Sequence, residues 1–144
     1  MGRTSCEQMS SFWPHSTDPY AAPMNNIPKV VVVFSRTLAD ADATWPTTRV
    51  ARGDLEAEMA AVKEEPGPDL IAWGGATFAG ALAARDLIDE YYLLVQPLVL
   101  GEGRALFGQL PTSRHLDLVE TTPFSSGIVP HVYRPQRGPI ELEA

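Results

Sequence analysis

Apolar positions along this chain come in short blocks whose period changes from one block to the next. Val30-Val31-Val32-Val33-Phe34 is an unbroken β-branched run, the pattern of a strand buried on both faces. Before it, Cys6, Met9 and Trp13 are spaced i, i+3, i+7, which predicts a helix over residues 2–13 that Pro14 stops. Residues 14–28 carry Pro14, Pro19, Pro23 and Pro28 and read as loop. After the run, residues 38–47 read as loop and Arg49-Val50-Ala51 as a short strand. Asp54 is placed to cap a helix that turns Leu55, Met59 and Val62 to one side and ends at Pro66-Gly67-Pro68.

Leu70-Ile71-Ala72-Trp73 predicts a second buried strand, over residues 69–73. It leads through Gly74-Gly75 into a helix over residues 76–86, with Thr77 as its N-cap and Phe78 and Leu82 four apart. Residues 90–100 are the most apolar strand, with a bulge or edge at Pro97. Residues 116–118 and 128–133 alternate on either side of Pro123-Phe124-Ser125-Ser126-Gly127, which predicts an antiparallel hairpin. The order of elements is that of one α/β domain, parallel in its middle and antiparallel at its C-terminal end.

Composition narrows the function classes. The 144 residues suffice for one sizeable core, and 44% hydrophobic with 20% charged residues is ordinary for a soluble globular protein. No apolar run approaches the ~20 residues of a membrane span, and the first residues lack the apolar core of a signal peptide. A single cysteine excludes an internal disulfide framework, so a cytoplasmic location is expected. A net charge of −7 argues against nucleic-acid binding, but an anionic cofactor needs only a few local cations. His15, His115 and His131 are scattered, so no metal site is expected. Asp86, Asp89 and Glu90 read as a solvated turn, and no catalytic residue is identified.

Three junctions suit an anion. Arg3, Thr4 and Ser5 open the first helix, where a cation is disfavoured and free backbone N–H groups lie beside hydroxyls. Ser35-Arg36-Thr37 stands at the carboxyl end of the β-branched strand, where α/β sheets bind ligands. Gly74-Gly75 joins a strand to a helix start, where main chain can approach a phosphate closely.

In order and spacing these segments resemble the dihydrofolate reductase superfamily. Within it they resemble most the small bacterial proteins akin to the reductase domain of the bifunctional riboflavin-biosynthesis deaminase/reductase. Gly2-Arg3-Thr4-Ser5-Cys6-Glu7 resembles the family's G-R-x-T/S-x-E segment, and residues 9–14 the helix and W-P that follow it. Residues 28–38 resemble its K-x-V-x-S-R-T-L strand, and residues 71–82 its glycine-containing strand-to-helix junction. Residues 88–107 resemble D-E-L-x-L-x-x-x-P-V-V-L-G-x-G-x-x-L-F, and Phe124-Ser125-Ser126-Gly127 the hairpin x-F-S-S-G-x-V.

The resemblance implies a three-layer α/β fold over residues 2–134; beyond it, residues 135–144 read as a disordered tail. Its sheet would be mixed and mostly parallel, with an antiparallel C-terminal hairpin and helices on both faces. It implies NADPH as cofactor. Gly2, Arg3, Thr4, Ser5, Ser35, Arg36 and Thr37 would hold the adenosine end, and Gly74, Gly75, Ala76, Thr77 and Phe78 the pyrophosphate. Two arginines at one end suit a 2′-phosphate. Family members carry a strand, an S-x-D-G type loop and a further helix and strand ahead of the G-R segment. Met1 therefore reads as an internal methionine of a longer gene; otherwise the gap in the sheet is filled by a partner, left as an exposed edge or closed by a new strand order, and a homodimer is expected. The implied activity is hydride transfer to a pterin-like or pyrimidine-like small-molecule substrate. The alternative is a catalytically inactive nucleotide-binding or dimerisation module.

Overall fold

The β-branched run opens a strand buried as its pattern requires. In the computed structural model, which describes residues 1–32, 45–73 and 75–137, β1 spans Lys29–Val32 and Val31 and Val32 are buried. It pairs in parallel with β2, Thr48–Ala51, from Lys29 opposite Thr48 to Val32 opposite Ala51. The chain's first residues meet the other side of β1. Gly2 bridges Val32 in parallel, the Val32 N–H donates to the Met1 carbonyl at 2.9 Å, and the Met1 amine donates to the Val30 carbonyl at 2.8 Å. From there the chain enters α1, Arg3–Phe12, which buries Cys6 against Val31, with Met1 and Val50 packed around them.

A 3-10 turn, Trp13–His15, follows α1 directly. Pro14 sits in the first turn of that element, where its missing N–H has no partner to lose. Residues 14–28 are not all loop: α2 spans Ala21–Asn26. Proline density hid it, yet Pro23 falls in the first turn, where proline is tolerated. Helix α3, Leu55–Glu64, is as expected: Asp54 Oδ1 accepts the Ala57 N–H at 3.1 Å, and Leu55 and Val62 are buried.

The strand expected over residues 69–73 does not form. Leu70, Ile71 and Trp73 are 50%, 78% and 55% exposed, and the Trp73 N–H turns back to the Ile71 carbonyl at 3.1 Å. An apolar run becomes a buried strand only where a neighbour takes up its backbone groups, and among the described residues none does.

Two compact units divide the chain, Met1–Ala79 and Gly80–Ala144, with helix α4, Ala76–Ala84, running across the division. The second unit holds β3 (Tyr91–Val95), β4 (Leu116–Thr121) and β5 (Val129–Pro135) in the order β3-β5-β4, antiparallel throughout. Strand β3 is shorter than the apolar stretch suggested. It ends ahead of Pro97, which has no N–H to continue a ladder, and Leu98, Val99 and Leu100 are exposed. The β4–β5 hairpin forms as expected, with the Phe124 N–H on the Ile128 carbonyl at 2.9 Å and Gly127 at φ +85°. Gln136 and Arg137 are still tied down, to the His115 carbonyl and to Asp89. The α/β class thus holds, and among the described residues parallel pairing is confined to the first unit.

Among the described residues no helix is long and apolar enough to cross a membrane, and no group of His, Cys, Asp or Glu could hold a metal ion.

Candidate functional site

Two helices of the first unit begin side by side, each on a glycine. Gly2 is the N-cap of α1: its carbonyl accepts the Cys6 N–H at 3.1 Å, and no side chain caps that end. Gly75 does the same for α4, its carbonyl accepting the Phe78 and Ala79 N–H groups at 3.0 and 3.1 Å. Thr77, expected as the cap, is the second residue of the helix. Glycine is itself a good N-cap, and its carbonyl had already closed the first turn.

The two starts touch reciprocally. A β-carbon on Gly2 would lie 3.3 Å from Phe78 Cβ, and one on Gly75 would lie 3.7 Å from Ser5 Oγ. Each capping glycine therefore faces the third residue of the other helix. Phe78, only 5% exposed, is the brace of this contact, its amide bonded to the Gly75 carbonyl.

The electrostatics follow from the geometry. Each helix start carries about half a positive charge. The leading amides of Arg3, Thr4, Ala76 and Thr77 have no acceptor within their own helices. Among the described residues the hydroxyls of Thr4, Ser5 and Thr77 find no hydrogen-bond partner, and Thr4, Gly75 and Thr77 are exposed. Two like partial charges side by side oppose each other in water. An anion between them reverses the sign and gains about 0.3–1 kcal/mol from each start.

Seven of the residues expected to hold a cofactor thus share two helical turns: Gly2, Thr4, Ser5, Gly75, Ala76, Thr77 and Phe78. Arg3 is in the same turn, but its guanidinium reaches Glu7, at 3.8 Å, with both side chains about half exposed. Such a pair is weak, so Arg3 is readily drawn to a stronger anion. Ser35, Arg36, Thr37 and Gly74 lie outside the described residues.

Sequence reasoning passed over Lys29. Its side chain turns inward, 5% exposed, and its Nζ donates to the carbonyls of Ile27 (2.7 Å), Asn25 (3.0 Å) and Pro46 (3.2 Å) and to Thr47 Oγ1 (3.1 Å). The ammonium also stands 4.3 Å from the centre of the Trp45 ring. Burial pushes this ammonium below its ordinary pKa, while Cys6 pulls it up. A lysine opening a run of valines was the available signal, because a strand buried on both faces gives its first residue no solvent to reach.

The second unit has a small recess of about 180 Å³ lined by Tyr91, Phe107, Leu110, Arg114 and Leu116. Its one cation is committed: Arg114 Nη1 donates to the Ala83 carbonyl at 3.0 Å and to Asp86 Oδ1 at 2.7 Å. The recess offers apolar walls and no anion cradle.

A family model described as the RibD C-terminal domain matches residues 1–130. The chain is 32% identical over 137 residues to the uncharacterized protein YyaP of Bacillus subtilis, covering 92% of this chain and 70% of that one. It is 35% identical over 75 residues to the uncharacterized protein YwjB of the same organism, covering 52% and 43%. Among solved structures, a putative riboflavin biosynthesis protein from Shewanella sp. PV-4 superposes with a TM-score of 0.74 at 23% identity, over 95% of this chain and 72% of that one. A pyrimidine reductase-like protein from Corynebacterium diphtheriae superposes with a TM-score of 0.52 at 15% identity, over 76% and 50%. At these identities the structural likeness speaks for the fold alone.

Proposed function

Because the chain belongs to the RibD C-terminal domain family, a family of riboflavin-biosynthesis reductase-like proteins, we propose that it is an NADPH-dependent reductase acting on a small pterin-like or pyrimidine-like substrate. One observation carries the proposal: the paired helix starts at Gly2 and Gly75, a cradle with free donors among the described residues, no β-carbon at either cap and no acidic residue in either first turn. A dinucleotide pyrophosphate matches that donor set.

In this reading NADPH supplies the hydride when bound. The turn holding Gly2, Thr4 and Ser5 was expected at the adenosine end, but it lies against Gly75 and Phe78. In this reading the amides at the starts of α1 and α4 therefore together hold the pyrophosphate, with the Thr4, Ser5 and Thr77 hydroxyls as further donors. Phe78 keeps the two turns at a fixed separation. Arg3 exchanges its exposed Glu7 partner for a phosphate, and Arg36 joins it at the adenosine end on the strength of the sequence. Two guanidinium groups favour the 2′-phosphate of NADPH over the hydroxyl of NADH. The reading includes a homodimer, supported by the exposed Tyr92, Leu94, Leu98 and Val99.

Arg36→Ala tests the assignment. NADPH affinity is expected to fall about tenfold or more while NADH affinity barely changes. Equal losses for both cofactors would remove Arg36 from the 2′-phosphate role. NADPH binding without turnover on any dihydropterin or pyrimidine would favour the inactive nucleotide-binding module.

A further inference from the structure

Lys29 is buried without a counter-ion: among the described residues no carboxylate pairs with it, and its partners are neutral oxygens and a ring face. Four oxygens within 3.2 Å exceed the three protons an ammonium can donate. That is the shell of a small monovalent cation rather than of a pairwise hydrogen bond. The oxygens come from two stretches of chain, residues 25–27 and 46–47, so the cation is what joins them.

What the cage joins leads to the paired helix starts. Asn25 gives its carbonyl to Lys29, accepts Trp45 Nε1 on its Oδ1 at 2.7 Å, and donates its Nδ2 to the Trp13 carbonyl at 3.1 Å. Trp13 directly follows α1. The backbone of Lys29 donates to the Thr47 carbonyl at 2.9 Å, which starts the β1–β2 ladder, and the other end of β1 carries Met1 and Gly2. Helix α1 is thus fixed at both ends by elements that meet at Lys29.

We propose that Lys29 is a positioning residue, its ammonium acting as the resident monovalent cation of an oxygen cage that sets the placement of α1 and hence of the anion cradle. The cage would accept a free ammonium ion when the lysine is removed. Its chemistry selects a compact cation with N–H donors at 2.7–3.2 Å and rejects a quaternary ammonium of equal charge, which has none. The cage itself is independent of the cofactor assignment; its effect on the cradle rests on that assignment.

The test uses Lys29→Ala in the full chain, melted and titrated with NADPH in ammonium chloride or in tetramethylammonium chloride at equal ionic strength. The variant is expected to melt about 5–10 °C lower than the parent in tetramethylammonium and to recover part of the loss in ammonium. Parent protein should melt alike in both salts. NADPH affinity in the variant should fall about tenfold and recover with ammonium in step with the melting temperature. Identical behaviour of the variant in the two salts would overturn the cage. Thermal recovery without recovery of affinity would overturn the positioning role. If the parent itself binds no NADPH, the cofactor assignment fails while the thermal result still decides the cage. Should the variant not fold in tetramethylammonium, refolding from urea in ammonium decides: folding only there supports the cage, and failure in both salts overturns it.

Discussion

Gly2 and Phe78 stand so close that a β-carbon on Gly2 would fall 3.3 Å from Phe78 Cβ and 3.7 Å from Cγ. The backbone of Gly2, at φ −83°, is open to any residue, so the neighbour is what requires glycine here. Phe78 is buried and has little room to withdraw. Gly2→Ala is therefore expected to cost about 1 kcal/mol, from a poorer cap and a tight contact, and Gly2→Val about 2–3 kcal/mol. Urea unfolding measures both. A Gly2→Val protein as stable as the parent would mean that the two helix starts are not packed together.

Gly80 offers a contrast with an unconstrained glycine. A β-carbon there would lie 2.9 Å from the Leu106 carbonyl oxygen, while one on Gly67 would meet nothing within 4 Å. On a free helix surface glycine to alanine gains about 1 kcal/mol. In α4 the backbone oxygen cannot yield cheaply, so Gly80→Ala should lose about 1–3 kcal/mol. Gly67→Ala should stay within about 0.5 kcal/mol of the parent. Equal effects at the two positions in urea unfolding would contradict the close approach of Leu106 to α4.

Much of this was legible in the sequence, and what was missed has physical causes. The run of valines gave β1 because β-branched residues without alternation suit only a strand covered on both faces. Asp54 and its apolar spacing gave α3, and the turn residues 123–127 gave the β4–β5 hairpin. The strand over residues 69–73 failed because an apolar pattern reports what a segment would bury, not whether a neighbour is there to bury it. Helix α2 was hidden by Pro23, which is unfavourable in a helix except in its first turn. At the candidate site, the glycines and hydroxyls were found by their chemistry. That Gly2 faces Phe78 while Gly75 faces Ser5 is a relation between segments some seventy residues apart, and no local pattern carries it. Lys29 was passed over because lysine reads as surface.

Cys6 makes stability depend on alkaline pH. Burial holds its thiol above the ordinary cysteine value; the Met1 amine pulls the other way, Glu7 adds to the rise, and Lys29 opposes it. As pH climbs through about 8.5 the unfolded chain loses this proton first. The folded state then binds more protons than the unfolded one, and stability falls with pH until the folded thiol ionises too. Its stabilising contribution is whole below about pH 8.5, and the slope above it is at most about 1.4 kcal/mol per pH unit. Cys6→Ala should remove that slope while leaving the contribution of Tyr91, which burial also raises. Urea unfolding of both proteins between pH 7.5 and 9.5 checks this; parallel pH dependences would contradict it.

Arg114 closes the far end of α4. It bonds the Ala83 carbonyl, which also accepts the Asp86 N–H at 3.2 Å, and the carboxylate of Asp86, which sits at φ +57°. Its side chain is largely covered while that of Asp86 is about half exposed, so screening reduces the value of the pair. Arg114→Ala should lose about 1–2 kcal/mol, and Arg114→Lys should restore less than half, because an ammonium cannot span both acceptors as a guanidinium does. Thermal unfolding of the two variants measures the difference, and full restoration by lysine would show that charge alone matters there.

If the paired starts of α1 and α4 hold the pyrophosphate of NADPH, free pyrophosphate competes with the cofactor for them. Calorimetric titration of NADPH into the intact chain, repeated with inorganic pyrophosphate present, tests it most directly. Saturable binding well tighter than about 1 mM is expected, weakened by pyrophosphate through competition. No binding at millimolar NADPH, or binding that pyrophosphate leaves unchanged, would contradict it.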